Sequence, residues 1–114
     1  MSQALRVLSK PYEIFDLADG QSMTLKVTTY ERGSMEIAPK YLPPGTTKVI
    51  EALRIQLAPG VKAYPPQYYD VTSGTLIAQL LPYFMERGFT NYAYKVTKYG
   101  VAPKARFTVD RLPL

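Results

Sequence analysis

The fold is decided by residues 91–112, NYAYKVTKYGVAPKARFTVDRL. Residues 91–99 and 104–112 are rich in β-branched and aromatic residues, which favour strands. Residues 100–103 between them contain a glycine and a proline, which favour a turn. The stretch therefore predicts two antiparallel strands joined by a turn.

Successive side chains of a strand point to opposite faces, which sorts this pair of strands into a wet and a buried side. The wet face of the first strand is predicted to carry Ala93, Lys95, Thr97 and Tyr99, and the buried face Tyr92, Tyr94 and Val96. In the second strand the predicted outward residues are Arg106, Thr108 and Asp110, and the inward residues Ala105, Phe107 and Val109. Cations and a tyrosine therefore share one predicted surface.

The net charge of +5 is concentrated in the same part of the chain. Residues 1–86 hold eight basic and eight acidic residues, whereas residues 87–114 hold six basic residues and only Asp110 as an acid. A run of charge can be merely a solvated face, but basic groups interleaved with aromatic rings are typical of surfaces that bind single-stranded nucleic acid.

The candidate contact residues follow from this pattern. Backbone phosphates are expected to contact Lys95, Lys98, Lys104, Arg106 and Arg111, and Tyr99 is expected to stack on bases. A second-tier wet face is predicted on the strand at residues 22–31, where it includes Lys26, Thr28 and Tyr30.

The rest of the chain predicts further short strands and one helix. Strands are expected at residues 12–17, 22–31 and 34–38, with an Asp-Gly turn after the first and a turn at Arg32-Gly33 after the second. Lys48–Leu57 fits either a strand or a helix, and the β-branched residues at its start favour a strand. Residues 63–70, with three tyrosines and two prolines, are expected to form a loop.

Residues 71–88 carry the clearest helical pattern, with Leu76, Ile77, Leu80 and Leu81 on one face and Pro82 as a residue that should bend or shorten the helix. The predicted order is β-β-β-β-α-β-β in a single domain covering residues 1–114. This mainly β chain fits a small antiparallel barrel of the oligonucleotide-binding type, or a sheet covered by one helix.

Catalysis is disfavoured by the composition. The chain has no cysteine and no histidine, which leaves no Cys/His zinc site and no histidine or cysteine as a base or nucleophile. The seven glycines form neither a phosphate loop nor a dinucleotide fingerprint. We expect no enzymatic activity, no cofactor and no metal site.

Tyr94–Gly100 (YKVTKYG) and residues 103–109 (PKARFTV) resemble a strand-glycine-strand segment of some phage and archaeal single-stranded DNA-binding proteins with the oligonucleotide-binding fold. This resemblance implies a non-catalytic protein that binds single-stranded DNA. The sequence does not choose between DNA and RNA.

The alternative reading is a protein-interaction or assembly module, such as a viral or accessory structural subunit. Such a module would use a strand edge and the tyrosine-proline loop, and the chain would form a homo-oligomer. The expected location is cytoplasmic, in a cell or encoded by a virus that replicates there, because no signal-like or membrane-spanning apolar run is seen.

Overall fold

The computed structural model of the chain describes residues 6–38, 42–101 and 104–114. In this part of the chain, six strands and one α-helix follow in the order β-β-β-β-α-β-β. They are β1 (Ser22–Leu25), β2 (Val27–Ile37), β3 (Lys48–Leu57), β4 (Tyr68–Val71), α1 (Gly74–Phe84), β5 (Tyr92–Tyr99) and β6 (Arg106–Pro113). The predicted mainly β fold with one helix is confirmed, and Lys48–Leu57 is a strand.

The strands form two three-stranded antiparallel sheets. Sheet I has the order β2-β3-β4, and sheet II has the order β1-β5-β6. The strands β2, β4, β1 and β6 lie at the sheet edges, and each pairs with one neighbour within its own sheet. The barrel predicted from the sequence is therefore corrected: among the described residues, the strands do not close into one, and two sheets and a helix share a core instead.

Several predicted boundaries change. The predicted strand at residues 12–17 is extended chain with one isolated bridge, from Ile14 to Asp70. The predicted turn at Arg32-Gly33 lies inside the continuous strand β2, where Gly33 pairs with Ala52. The predicted loop at residues 63–70 contains the start of β4. Six strands are predicted and six are found, because the strand predicted at residues 12–17 does not form and β4 replaces part of the predicted loop.

Residues 6–17, which we call the N-terminal strap, run across sheet I from one edge to the other. At the β2 edge, the amide of Leu8 donates to the carbonyl of Ser34 at 2.9 Å. At the β4 edge, the amide of Phe15 donates to the carbonyl of Asp70, also at 2.9 Å. The strap therefore satisfies backbone groups at both borders of the sheet.

A buried ion pair holds the strap against the sheet. Arg54 of β3 donates from Nε to Asp70 Oδ1 at 2.7 Å and from a terminal nitrogen to the carbonyl of Ser9 at 2.7 Å. The ring of Tyr68 stacks on the guanidinium, 4.1 Å from its centre to the arginine Cζ. The hydrogen bonds to the Asp70 carboxylate raise the pKa of Arg54, so the guanidinium stays charged where it is buried.

The main core lies between the two sheets and α1. It includes Leu25, Ile55, Leu80, Phe84 and Tyr94, all of them buried. Burial raises the pKa of the Tyr94 phenol, whose hydroxyl donates to the carbonyl of Phe89 at 2.7 Å. A smaller cluster of Leu8, Met35 and Ala52 lies under the strap. Sheet I is thus covered on both faces.

Helix α1 packs between the sheets and is shorter than its sequence pattern predicts. Ser73 is the N-cap, and its hydroxyl accepts from the amide of Leu76. The helix ends at Phe84, two residues after Pro82, which lacks a backbone donor. No helix among the described residues is long and apolar enough to cross a membrane.

Candidate nucleic-acid interface

The strand register brings three of the predicted contact residues onto one exposed surface. Lys95 and Tyr99 are separated by four residues of β5, and Tyr99 pairs directly with Arg106 of β6. Paired residues of an antiparallel ladder share a face, so all three side chains lie on the side of sheet II that points away from the core. We call this side the outer face. Its members are Ser22, Thr24, Ala93, Lys95, Thr97, Tyr99, Arg106, Thr108, Asp110 and Leu112.

The outer face has a pair of bonded hydroxyl groups at its centre and one exposed ring. Ser22 and Thr97, which pair across β1 and β5, join their hydroxyl groups by a 2.7 Å hydrogen bond. Among the described residues of this face, Tyr99 supplies the aromatic ring, and its side chain is 54% exposed. Its ring can stack on a planar group without any rearrangement of the core.

The cations of this surface lack the carboxylate partners that others have. Arg32, Arg54 and Lys98 each lie within ion-pair distance of an acid. Within the ranges that the structure describes, no ion pair involves Lys26, Lys95, Lys104 or Arg106. All four side chains are exposed. They are therefore available to an anionic ligand.

Two carboxylates moderate this positive surface. Asp110 lies directly across from Lys95 in the ladder, on the same face. Asp19 accepts a 2.8 Å hydrogen bond from the amide of Gly100, in the turn that follows Tyr99. This surface therefore carries four basic and two acidic side chains, so its net charge is positive.

Lys98 does not extend the exposed patch as predicted. It pairs with Phe107 and lies on the core side of sheet II, where it is 9% exposed. Its ammonium group donates to Asp16 Oδ1 at 2.8 Å. The strand period explains this correction, because Lys98 is an odd number of residues away from both Lys95 and Tyr99.

Arg111 also lies on the core side, since it pairs with the buried Tyr94. Its guanidinium forms an ion pair with Glu86 and lies over the rings of Tyr83 and Tyr92, at 5.0 and 4.4 Å. Arg111 thus ties β6 to the end of α1 rather than extending the outer face.

Only part of the predicted second-tier wet face, Lys26, Thr28 and Tyr30, is exposed. Lys26 is exposed between β1 and β2, whereas Tyr30 points inward and contacts the rings of Phe84 and Phe89 at 5.3 and 5.6 Å. The register of β2 shifts between Val27 and Thr29. Such a bulge inserts one residue and reverses the alternation, so Tyr30 is not on the wet face that the sequence predicts.

A cleft of about 300 Å³ opens at the end of sheet II, between the strap, the start of α1 and β6. Its apolar lining includes Phe15, Leu76 and Phe107, and its polar lining includes Asp16, Thr72, Ser73 and Lys98. Sequence reasoning did not find this site. Asp16 precedes the predicted Asp-Gly turn, and nothing in that local pattern distinguishes it from an ordinary turn residue.

No three carboxylates converge among the residues that the structure describes, so this region offers no acidic cluster for a metal ion. Comparisons with protein-family models, with curated proteins and with solved structures each gave no match.

Proposed function

We propose that the protein is a non-catalytic nucleic-acid-binding protein that holds a single strand, most favourably DNA, on the outer face. The observation that carries the proposal is the exposed set of Lys95, Tyr99 and Arg106 on one face, whose cations form no ion pair among the described residues. Lys104 and Lys26 extend this set at its borders.

The cations and the exposed ring of the face suit a single-stranded nucleic acid, which carries phosphates and unpaired bases. Each lysine or arginine that neutralises a phosphate releases counterions, which favours binding. The exposed ring of Tyr99 adds stacking on a base, worth about 1–3 kcal/mol. The exposed Tyr99 ring needs an open base face, which an unpaired strand offers and a stacked duplex does not, so an unpaired strand is the better ligand.

Fluorescence anisotropy of a labelled oligothymidine across salt concentrations tests the electrostatic part. With about four phosphate contacts, the slope of log K against log salt is expected near −3, from about −0.7 per contact. Lys95→Ala with Arg106→Ala should make the slope less negative by about 1.4. Lys48→Ala with Lys10→Ala is the matched control, because both lysines are exposed and outside sheet II.

The stacking part is tested with Tyr99→Ala. This change should weaken binding about fivefold to 150-fold at constant salt, the equivalent of about 1–3 kcal/mol. Tyr64→Ala is the control, since Tyr64 is equally aromatic, 70% exposed and outside sheet II. Absence of binding at low salt, or equal losses in test and control variants, would reject the proposed function.

The assembly alternative has less support from the geometry. Of the tyrosines near the tyrosine-proline loop, Tyr68 stacks on Arg54 and Tyr69 packs edge-on against Phe15, which leaves Tyr64 as the exposed ring. At the free edge of β6, Gln79 of α1 donates to the carbonyl of Phe107 at 2.7 Å. That bond removes an acceptor that a pairing strand from a second chain would need.

A further inference from the structure

The cleft beside α1 combines a buried cation with a partly free carboxylate. Lys98 and Asp16 form a 2.8 Å ion pair at its wall. Asp16 Oδ1 accepts from both the Lys98 ammonium and the Leu17 amide. In the part of the chain that the structure describes, Oδ2 has no hydrogen-bond partner, and the Asp16 side chain is 68% exposed. The wall therefore offers an acceptor next to a donor.

The remaining walls suit a flat ring. Phe15 and Phe107 lie with their centroids 6.3 Å apart and their planes tilted by 43°. Ile14, Val71, Leu76 and Ala105 complete the apolar lining. Thr72 and Ser73 add hydroxyl groups. A volume of about 300 Å³ is at the small end of ligand sites and fits one planar heterocycle with its surrounding water.

The cleft lies close to the outer face. A second recess of about 250 Å³ shares Ala105 and Phe107 with it and is lined on its other side by Arg106. Arg106 belongs to the outer face, so a residue of that face borders the recess. A DNA strand that has one phosphate at Arg106 can place the neighbouring base in the cleft.

We propose that the cleft binds a guanine base of the DNA strand that lies on the outer face, so that the cleft is a base-selective pocket. This inference rests on the proposed function. The free oxygen of Asp16 accepts from the guanine N1–H and amino group, and Lys98 donates to the guanine O6. Carboxylates accept from base amino groups and lysine donates to guanine O6 in protein–nucleic acid contacts generally. Guanine presents two adjacent donors beside one acceptor, whereas thymine presents one donor between two acceptors.

The test compares an oligothymidine with the same oligothymidine carrying one central guanine, adenine or cytosine. The guanine-containing strand should bind about tenfold more tightly than the others, within the range for one well-placed bidentate contact. Using the ratio of two affinities cancels the shared contribution of the phosphates.

Two variants assign the preference to the cleft. Asp16→Asn keeps an oxygen for Lys98 but replaces an acceptor by a donor, so the guanine-to-thymine ratio should fall to about one. Asp19→Asn is the matched control, because Asp19 is a nearby aspartate that does not line the cleft. Ala105→Leu, which fills the cleft from the residue before β6, should also remove the preference while leaving oligothymidine affinity unchanged.

The outcomes separate the two proposals. If the oligothymidine binds with the expected salt dependence but all bases bind equally, the base pocket is rejected and the outer-face function stands. If guanine preference survives both Asp16→Asn and Ala105→Leu, it does not arise in the cleft and the inference is wrong. If no oligonucleotide binds, both proposals fail.

Discussion

Arg54 and Asp70 form a two-point ion pair in the interior of the protein, with Nε to Oδ1 at 2.7 Å and a terminal nitrogen to Oδ2 at 3.1 Å. The side chains are 6% and 0% exposed. Asp70 Oδ2 also accepts from the amide of Glu13, and Arg54 also reaches the carbonyl of Ser9. The pair thus links the central and edge strands of sheet I to the N-terminal strap.

Replacing Arg54 by methionine should destabilise the protein strongly. The change leaves the Asp70 carboxylate buried without its cation, and breaking a buried pair in this way typically costs about 3–5 kcal/mol. The free energy of unfolding, measured by urea denaturation, is the readout. Arg32→Met is the control, because the ion pair of Arg32 with Glu51 is exposed and worth about 0–1 kcal/mol. Equal costs in the two variants would contradict the role assigned to burial.

Gly33→Ala should displace the strap from sheet I. A Cβ at this position would lie 2.6 Å from the Leu8 side chain and 2.7 Å from the Arg6 carbonyl oxygen. Overpacking of this kind costs about 1–3 kcal/mol. Hydrogen exchange should show faster exchange at the Leu8 and Ser34 amides, which border the contact. Gly74→Ala is the control, since its Cβ meets nothing within 4 Å and should be neutral or slightly stabilising. A protected Leu8 amide in Gly33→Ala would argue against the displacement.

Asp110→Asn should strengthen oligonucleotide binding. The change removes the acid that faces Lys95 across the ladder, which raises the positive potential of the outer face. The gain should be about twofold to fivefold at low salt, the scale of one exposed charge interaction, and should vanish near 1 M salt. Anisotropy titrations measure it. Glu36→Gln, an exposed acid on β2, should change the affinity less, and a larger gain there would place the ligand elsewhere.

The ion pair of Asp16 with Lys98 predicts a pH-dependent difference in stability. Hydrogen bonding from Lys98 holds the pKa of Asp16 below its usual 3.8. A carboxyl with a lowered folded-state pKa stabilises the fold above its unfolded-state pKa, and this contribution is lost as pH falls through the folded-state value. The stability advantage of the parent chain over Asp16→Asn should therefore be present at neutral pH and decline below pH 3.8. Urea midpoints across this range test it, and an advantage that grows on acidification would contradict the assignment.

The period of β5 and β6 could be read from the sequence because each strand has one wet and one buried side. Lys95 and Arg106 were placed on the wet side, and Phe107 on the buried side, as the structure has them. The prediction that Ala93 and Thr97 are wet was wrong, because both are buried although they lie on the same side as Lys95. The same alternation also predicts that Lys98 lies on the core side, when the two-residue period of the strand is applied strictly. What the sequence did not supply was its partner, because Asp16 lies 82 residues away.

Two other features could not be read from alternation. Ala52, Leu53, Arg54 and Ile55 are all buried because the strap covers one face of β3 and the main core the other, so this strand shows no wet side. The bulge after Val27 reverses the inward and outward order of β2 and turns Tyr30 into the core. Both depend on contacts between distant segments, which a local pattern does not encode.

The strap also has a consequence for how the protein meets other chains. A free strand edge invites pairing with another strand, and it is the usual starting point of aggregation. At sheet I, backbone groups of Ser34 and Asp70 on the two bordering strands are already bonded to the strap. Growth by strand addition is therefore discouraged in that half of the molecule. Sheet II is therefore the half of the molecule that is left to contact other molecules through its face, while the strap occupies both borders of sheet I.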